Sequence, residues 1–164
     1  MSRAFVKESD GEEVYDDLPD RPIDPRPNLV TREGLAQIES EIARLRAMLA
    51  DAAANADRAA LAEAARDLRY WQARRASAEV APSAEAADVV RFGLAVTLAQ
   101  ANGRRRVWRI VGIDEADPAQ GRLSYVAPLA QALLGKRVGD AVALDGQDAM
   151  EIVAIDRPAR PAAP

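Results

Sequence analysis

From Asn28 to Ala81 the chain contains no proline, and within that window apolar residues recur on a seven-residue pattern. Leu35, Ile38, Ile42, Leu45 and Leu49 follow one another at spacings of 3, 4, 3 and 4. This is the a/d seam that keeps one stripe of a helix turned toward a partner helix. Thr31 is placed to cap the start of that helix, with Glu33 favourable near its positive end. The stretch AAANAD at 52–57 interrupts the pattern, after which Leu61, Ala64, Leu68, Trp71 and Ala78 form a second seam with Arg75 in one apolar slot. Two such helices joined by a short turn predict an antiparallel αα-hairpin over 31–80. Each arm has about 22 residues and extends roughly 33 Å.

The period changes after a short linker, APSAEAAD at 81–88. VVRFGLAVTL from Val89 and RRVWRIVGI up to Ile113 flank an Asn102-Gly103 pair, a strong β-hairpin signal. RLSYV (122–126), AVAL (141–144) and AMEIVAI (149–155) read as further strands. Pro128 opens a short helix, PLAQALLG, with Gly135 suited to the position just past its end. The predicted fold class is α+β: a helical hairpin, then a twisted antiparallel sheet with one short helix over 89–157, then a loose tail at 158–164.

Composition restricts the chemistry. The 164 residues include no Cys and no His, which removes disulfides, thiolate metal sites and every catalytic arrangement that needs an imidazole. No apolar run approaches the ~18 residues a membrane helix needs, so a cytoplasmic protein with no membrane partner is expected. The net charge of −4 resides in residues 1–30, where Glu8, Asp10, Glu12, Glu13, Asp16, Asp17, Asp20 and Asp24 face only Arg3, Lys7, Arg21 and Arg26. Acidic and punctuated by Pro19, Pro22, Pro25 and Pro27, this stretch reads as a disordered or loosely draped arm. Its alternative role is docking on a partner through Phe5, Val6, Val14 and Tyr15. The remaining chain is neutral, which argues against a broad electrostatic footprint for nucleic acid. Arg104, Arg105 and Arg106 beside the Asn-Gly turn read as a soluble hairpin edge, with a nucleic-acid contact as the alternative.

One string is more specific than these patterns. WRIVGIDEAD (108–117) followed by LSYVAPLAQALLGK (123–136) resembles the C-terminal domain of the GreA/GreB family of bacterial transcription elongation factors. Phe92-Gly93, Val96-Thr97 and Val138-Gly139-Asp140 with Val142 fall where that family has similar residues, and the N-terminal arm resembles the leader of a GreB-like subgroup. The resemblance implies an FKBP-like C-terminal domain that docks at the secondary channel of RNA polymerase, and a coiled-coil hairpin that enters the channel. Asp114, Glu115, Asp117, Pro128 and Leu129 are then the expected polymerase-docking residues. In the family, tip carboxylates help hold a second Mg²⁺ in the polymerase active site. The resemblance thus implies a factor that is not an enzyme itself and has no cofactor of its own, any Mg²⁺ being contributed by RNA polymerase, with indirect association with DNA or RNA in the elongation complex and DNA binding as a further option. A monomer is expected.

The tip departs from the family's D-x-x-E-N-A-[DE]-Y string. Asp57 matches the first acid and Glu63 a later one, but Ala60 stands in place of the essential Glu and Ala64 in place of the Tyr. Each arm is also about a heptad shorter than in the cleavage factors, a difference of roughly 10 Å. Asp57 reads first as a helix N-cap and Glu63 with Asp67 as a solvated face. The expected function is modulation of elongation without strong stimulation of transcript cleavage. Two alternatives remain: a cleavage factor acting through Asp57 and Glu63, and a peptidyl-prolyl isomerase, whose pocket would need Phe92, Trp108 and Tyr125.

Overall fold

The computed structural model describes residues 18–82, 88–144 and 148–157. The chain divides into two compact units, Met1–Pro25 with Ile38–Ala76 and Arg26–Gln37 with Ser77–Pro164. The proposed anchors Phe5, Val6, Val14 and Tyr15, linker residues 83–87 and the tail at 158–164 lie outside the described residues.

The first unit is built on two helices, α1 (Arg32–Ala54, its first six residues counted with the second unit) and α2 (Arg58–Ala76). Ile38, Ile42 and Leu45 are buried along α1, as the heptad spacing predicts, and Ala52, beyond the expected seam, is buried as well. Glu39 near one end of α1 pairs with Arg75 near the far end of α2 at 2.8 Å, which sets the antiparallel register. Two details of the second seam differ from expectation. Arg74, not an aliphatic residue, is fully buried, while Arg75 is exposed; α2 ends at Ala76, so Ala78 takes no part. α2 also has a second neighbour. Arg69 binds Asp20 at 2.6 Å and donates to the Leu18 carbonyl at 3.2 Å. Arg21 pairs with Asp67 at 3.6 Å and lies 4.0 Å over the Tyr70 ring. Residues 18–21 are thus held along α2 rather than loosely draped. Guanidinium pairs and a cation–π contact replace the apolar burial that this Pro-rich stretch lacks.

The second unit contains a pairing absent from the sequence reading: β1 (Leu29–Val30) runs parallel to β2 (Glu79–Val80). Its main sheet has five strands in the order β5-β4-β3-β7-β6. These are β3 (Ala95–Gln100), β4 (Arg105–Val111), β5 (Arg122–Ser124), β6 (Ala141–Val142) and β7 (Met150–Asp156). The β3–β4 hairpin closes as predicted, with Gly103 at a φ of 80°. β3 begins at Ala95 instead of Val89, because the chain turns at Gly93 (φ 86°) and only Val89 bridges to Arg137. The sheet is mixed, not wholly antiparallel, since β5 runs parallel to β4. Residues 112–121 form a crossover with a 3₁₀ turn at Pro118–Gln120, and such a crossover is what a parallel neighbour requires.

One face of this sheet is apolar. Val96, Leu98, Trp108, Ile110, Leu123, Val142, Met150 and Ile152 pack there with Ala130 and Leu133 of α3 (Pro128–Leu133). Gly135 takes a φ of 82° just past that helix, as its position in the sequence predicts.

Candidate functional site

At the hairpin tip the structure separates the two candidate acids. α1 ends in a Schellman arrangement, with Asp57 N donating to Ala52 O at 2.9 Å and Ala56 N to Ala53 O at 3.2 Å. Ala56 occupies the left-handed position at φ 52°, where glycine is usual. Asp57 then caps α2: its Oδ1 accepts from Ala60 N at 3.0 Å. Glu63 is exposed on α2. Six residues of helix separate the two, about 9 Å along the axis and some 240° around it, so they cannot ligate one ion within a rigid hairpin. Among the described residues no group of three or more acids is arranged to hold a metal.

The second candidate is the crossover between β4 and α3. As β4 ends, Gly112 passes so close to β1 that a Cβ there would lie 2.6 Å from the Leu29 carbonyl oxygen. Close approach brings Glu115 to the start of α1. Thr31 Oγ1 donates to Glu115 Oε1 at 2.7 Å and accepts from Gly34 N at 2.9 Å, so one hydroxyl caps the helix and clasps the loop. Gly34 is required by this clasp, because a Cβ would fall inside van der Waals contact of Glu115 Oε2 and 3.0 Å from its Cδ. Beside it, Arg109 of β4 binds Glu33 at 2.9 Å. Burial alone would raise the Glu33 carboxyl, but its backbone hydrogen bond and the Arg109 guanidinium outweigh that and hold it below its ordinary value.

The five expected docking residues therefore divide. Glu115, 5% exposed and clasped by Thr31, is structural, a correction to its assignment as a contact residue. Asp117 is also engaged: it caps the 3₁₀ turn through Ala119 N at 3.1 Å and pairs with Arg122 at 3.4 Å. Asp114 is half-buried, Pro128 is exposed at the first position of α3, and Leu129 is half-buried against the core. Ala127 at the N-cap of α3 provides no side-chain hydrogen bond, as expected for Ala at that position.

Sequence reading missed the Thr31–Glu115 clasp, which joins residues 84 apart in the chain. Its detectable trace was a capping Thr followed three residues later by Gly. The same face holds the four buried side-chain atoms that lack a hydrogen-bond partner among the described residues: Arg109 Nε, Glu115 Oε2, Arg122 Nε and Ser124 Oγ. Of the three aromatics an isomerase pocket would need, Trp108 is buried in the core. Phe92 and Tyr125 pack edge to face on each other, 6.0 Å between centroids, against that core.

Residues 85–157 match the family model described as transcription elongation factor, GreA/GreB, C-term. Transcription elongation factor GreB of Neisseria meningitidis is 43% identical over 75 residues, 44% of this chain and 46% of that protein. Transcription elongation factor GreA of Nitrobacter winogradskyi is 44% identical over 73 residues, 42% of this chain and 46% of its own length. The chain thus spans under half the length of these relatives. The crystal structure of Thermus aquaticus Gfh1 covers 80% of this chain and 99% of its own at 25% identity, with a TM-score of 0.40. That superposition is too loose to add to the fold described above.

Proposed function

We propose that this chain, whose residues 85–157 match the GreA/GreB C-terminal family model, is an accessory elongation factor. It docks on RNA polymerase at the secondary channel and modulates elongation with little stimulation of transcript cleavage. The observation that carries the second half is the tip. Asp57 is committed to capping α2, Ala60 occupies the place of a carboxylate, and Glu63 stands almost two turns away. A hard cation needs several oxygen donors converging on one point, and this tip offers at most one. The Mg²⁺ used in cleavage belongs to the polymerase, so the protein is not an enzyme by itself and needs no cofactor of its own.

Docking falls to half-buried Asp114 and exposed Pro128, with half-buried Leu129 beside them. Glu115 and Asp117 fix the shape of the loop. The decisive test is RNA length in a stalled, backtracked elongation complex, with this protein alone and then beside a competent cleavage factor. Suppression of the competitor's cleavage without shortening by the protein alone is expected. Shortening by the protein alone would establish the cleavage reading instead. An Asp114→Lys variant with unchanged Trp108 fluorescence should lose the suppression; if it retains full suppression, the docking assignment is wrong.

A further inference from the structure

We propose that the β3–β4 hairpin is a sequence-independent contact for the phosphate backbone of nucleic acid. Arg104, Arg105 and Arg106 follow the turn consecutively, all exposed. None of the three has a carboxylate partner among the described residues, whereas Arg109, further along β4, and Arg122 beside it on β5 are each paired. On an extended chain, Arg104 and Arg106 project to one side of the ribbon about 6.6 Å apart, with Arg105 on the other. Arg106 is already positioned: its guanidinium lies 4.0 Å over the Trp108 ring and donates to the Pro118 carbonyl at 3.0 Å. A stacked guanidinium loses little freedom on binding and keeps its remaining N–H donors for an anion.

The nearest acid in this register is Glu151. It faces Ala99 on β7, and Ala99 faces Arg105. Two strand spacings put it about 10 Å from Arg105, a Debye length at 0.1 M salt, so it tempers the charge without neutralising it. A two-stranded ribbon of this width fits a duplex groove. Asn102 Oδ1 is already engaged by Arg104 N at 2.9 Å and Trp108 is buried, so neither of these adds to the contact, which is assigned to the phosphate backbone and positions nucleic acid without selecting its sequence. This inference does not depend on polymerase docking.

The test is fluorescence anisotropy of the full chain with a labelled 20-base-pair DNA of arbitrary sequence, titrated at 50 and 200 mM salt without polymerase. Three phosphate contacts give a log–log slope near −2.7, about a 40-fold loss of affinity between the two salts. Arg104→Gln/Arg105→Gln removes two contacts and leaves Arg106 on Trp108; its loss over the same range should shrink to about 3.5-fold. Arg46→Gln, an exposed arginine on α1, should match wild type. Salt dependence in the double variant equal to wild type overturns the proposal. So does an equal reduction by Arg46→Gln, or absence of DNA binding at 50 mM salt. Binding of a polyglutamate peptide but not of DNA would also overturn it and assign the hairpin to an acidic protein.

Discussion

Replacing Gly34 by Ala sets two physical effects of opposite sign against each other. Gly34 lies in the first turn of α1 with no unusual φ, so helix propensity alone favours Ala by up to about 1 kcal/mol. Against this, the new Cβ would overlap Glu115 Oε2 and stand 3.0 Å from its Cδ. The carboxylate cannot give way freely, because Thr31 holds its other oxygen at 2.7 Å and the side chain is buried. Moving it breaks a charge-assisted hydrogen bond worth about 1.5–3 kcal/mol. The net expectation is a loss of roughly 1–2 kcal/mol from these opposing terms. In a Glu115→Ala background the obstacle is gone, and Gly34→Ala should stabilise by up to about 1 kcal/mol. The coupling between the two sites is then about 2–3 kcal/mol. Each unit carries one of the two tryptophans. A Trp71→Phe background therefore makes urea unfolding, followed by Trp108 emission, a report on the second unit. A Gly34→Ala protein as stable as its parent, or the same sign of effect with and without Glu115, would refute the clasp.

Three further outcomes are expected. Ala56→Gly relieves a left-handed Ala at the Schellman position and should raise the stability of the hairpin by about 0.5–1 kcal/mol, net of the flexibility it adds to the unfolded chain; circular dichroism at 222 nm during thermal unfolding checks it. Ala127→Ser supplies the missing N-cap of α3 and should add about 1 kcal/mol, read from the Trp108 unfolding midpoint. Glu33 titrates below its ordinary value when folded, so its contribution is complete above the unfolded carboxylate pKa and is lost as pH falls through the depressed one. Urea midpoints should therefore drop below about pH 4.5, the unfolded value, and Glu33→Gln should flatten that drop; an identical acid profile would remove Glu33 from the account.

Much of this architecture is legible in the sequence because it is local. Heptad spacing, the capping Thr31, the Asn102-Gly103 turn and Pro128 with Gly135 each act over a few residues, and each forms the element expected. Apart from the late start of β3 after Gly93 and the early end of α2, the departures are long-range. β1 and β2 are too short to carry a period, and their pairing joins residues 50 apart in the chain. β5 adopts its parallel direction from the path of the crossover, which no alternation of side chains records. Arg74 is buried where the seam predicts no charged side chain, and residues 18–21 give α2 a second neighbour that a single-stripe seam does not record. At the candidate site, residue type indicated Asp57 as a cap, and the structure agrees. Glu115 was misread because an acid in a loop of turn formers looks exposed until its partner, 84 residues away, is known.

The pairing of β1 with β2 has a consequence for how such a chain can change over generations. Leu29 lies beside Glu79 and Val30 beside Val80, so everything between them is an excursion that starts and finishes on the same two-stranded seam. In-frame gain or loss of a heptad in both helices would alter the excursion by about 10 Å while leaving the seam's register and the five-stranded sheet untouched. Hairpin length and the surface of the second unit are thus separately heritable, and selection could trim one without renegotiating the other.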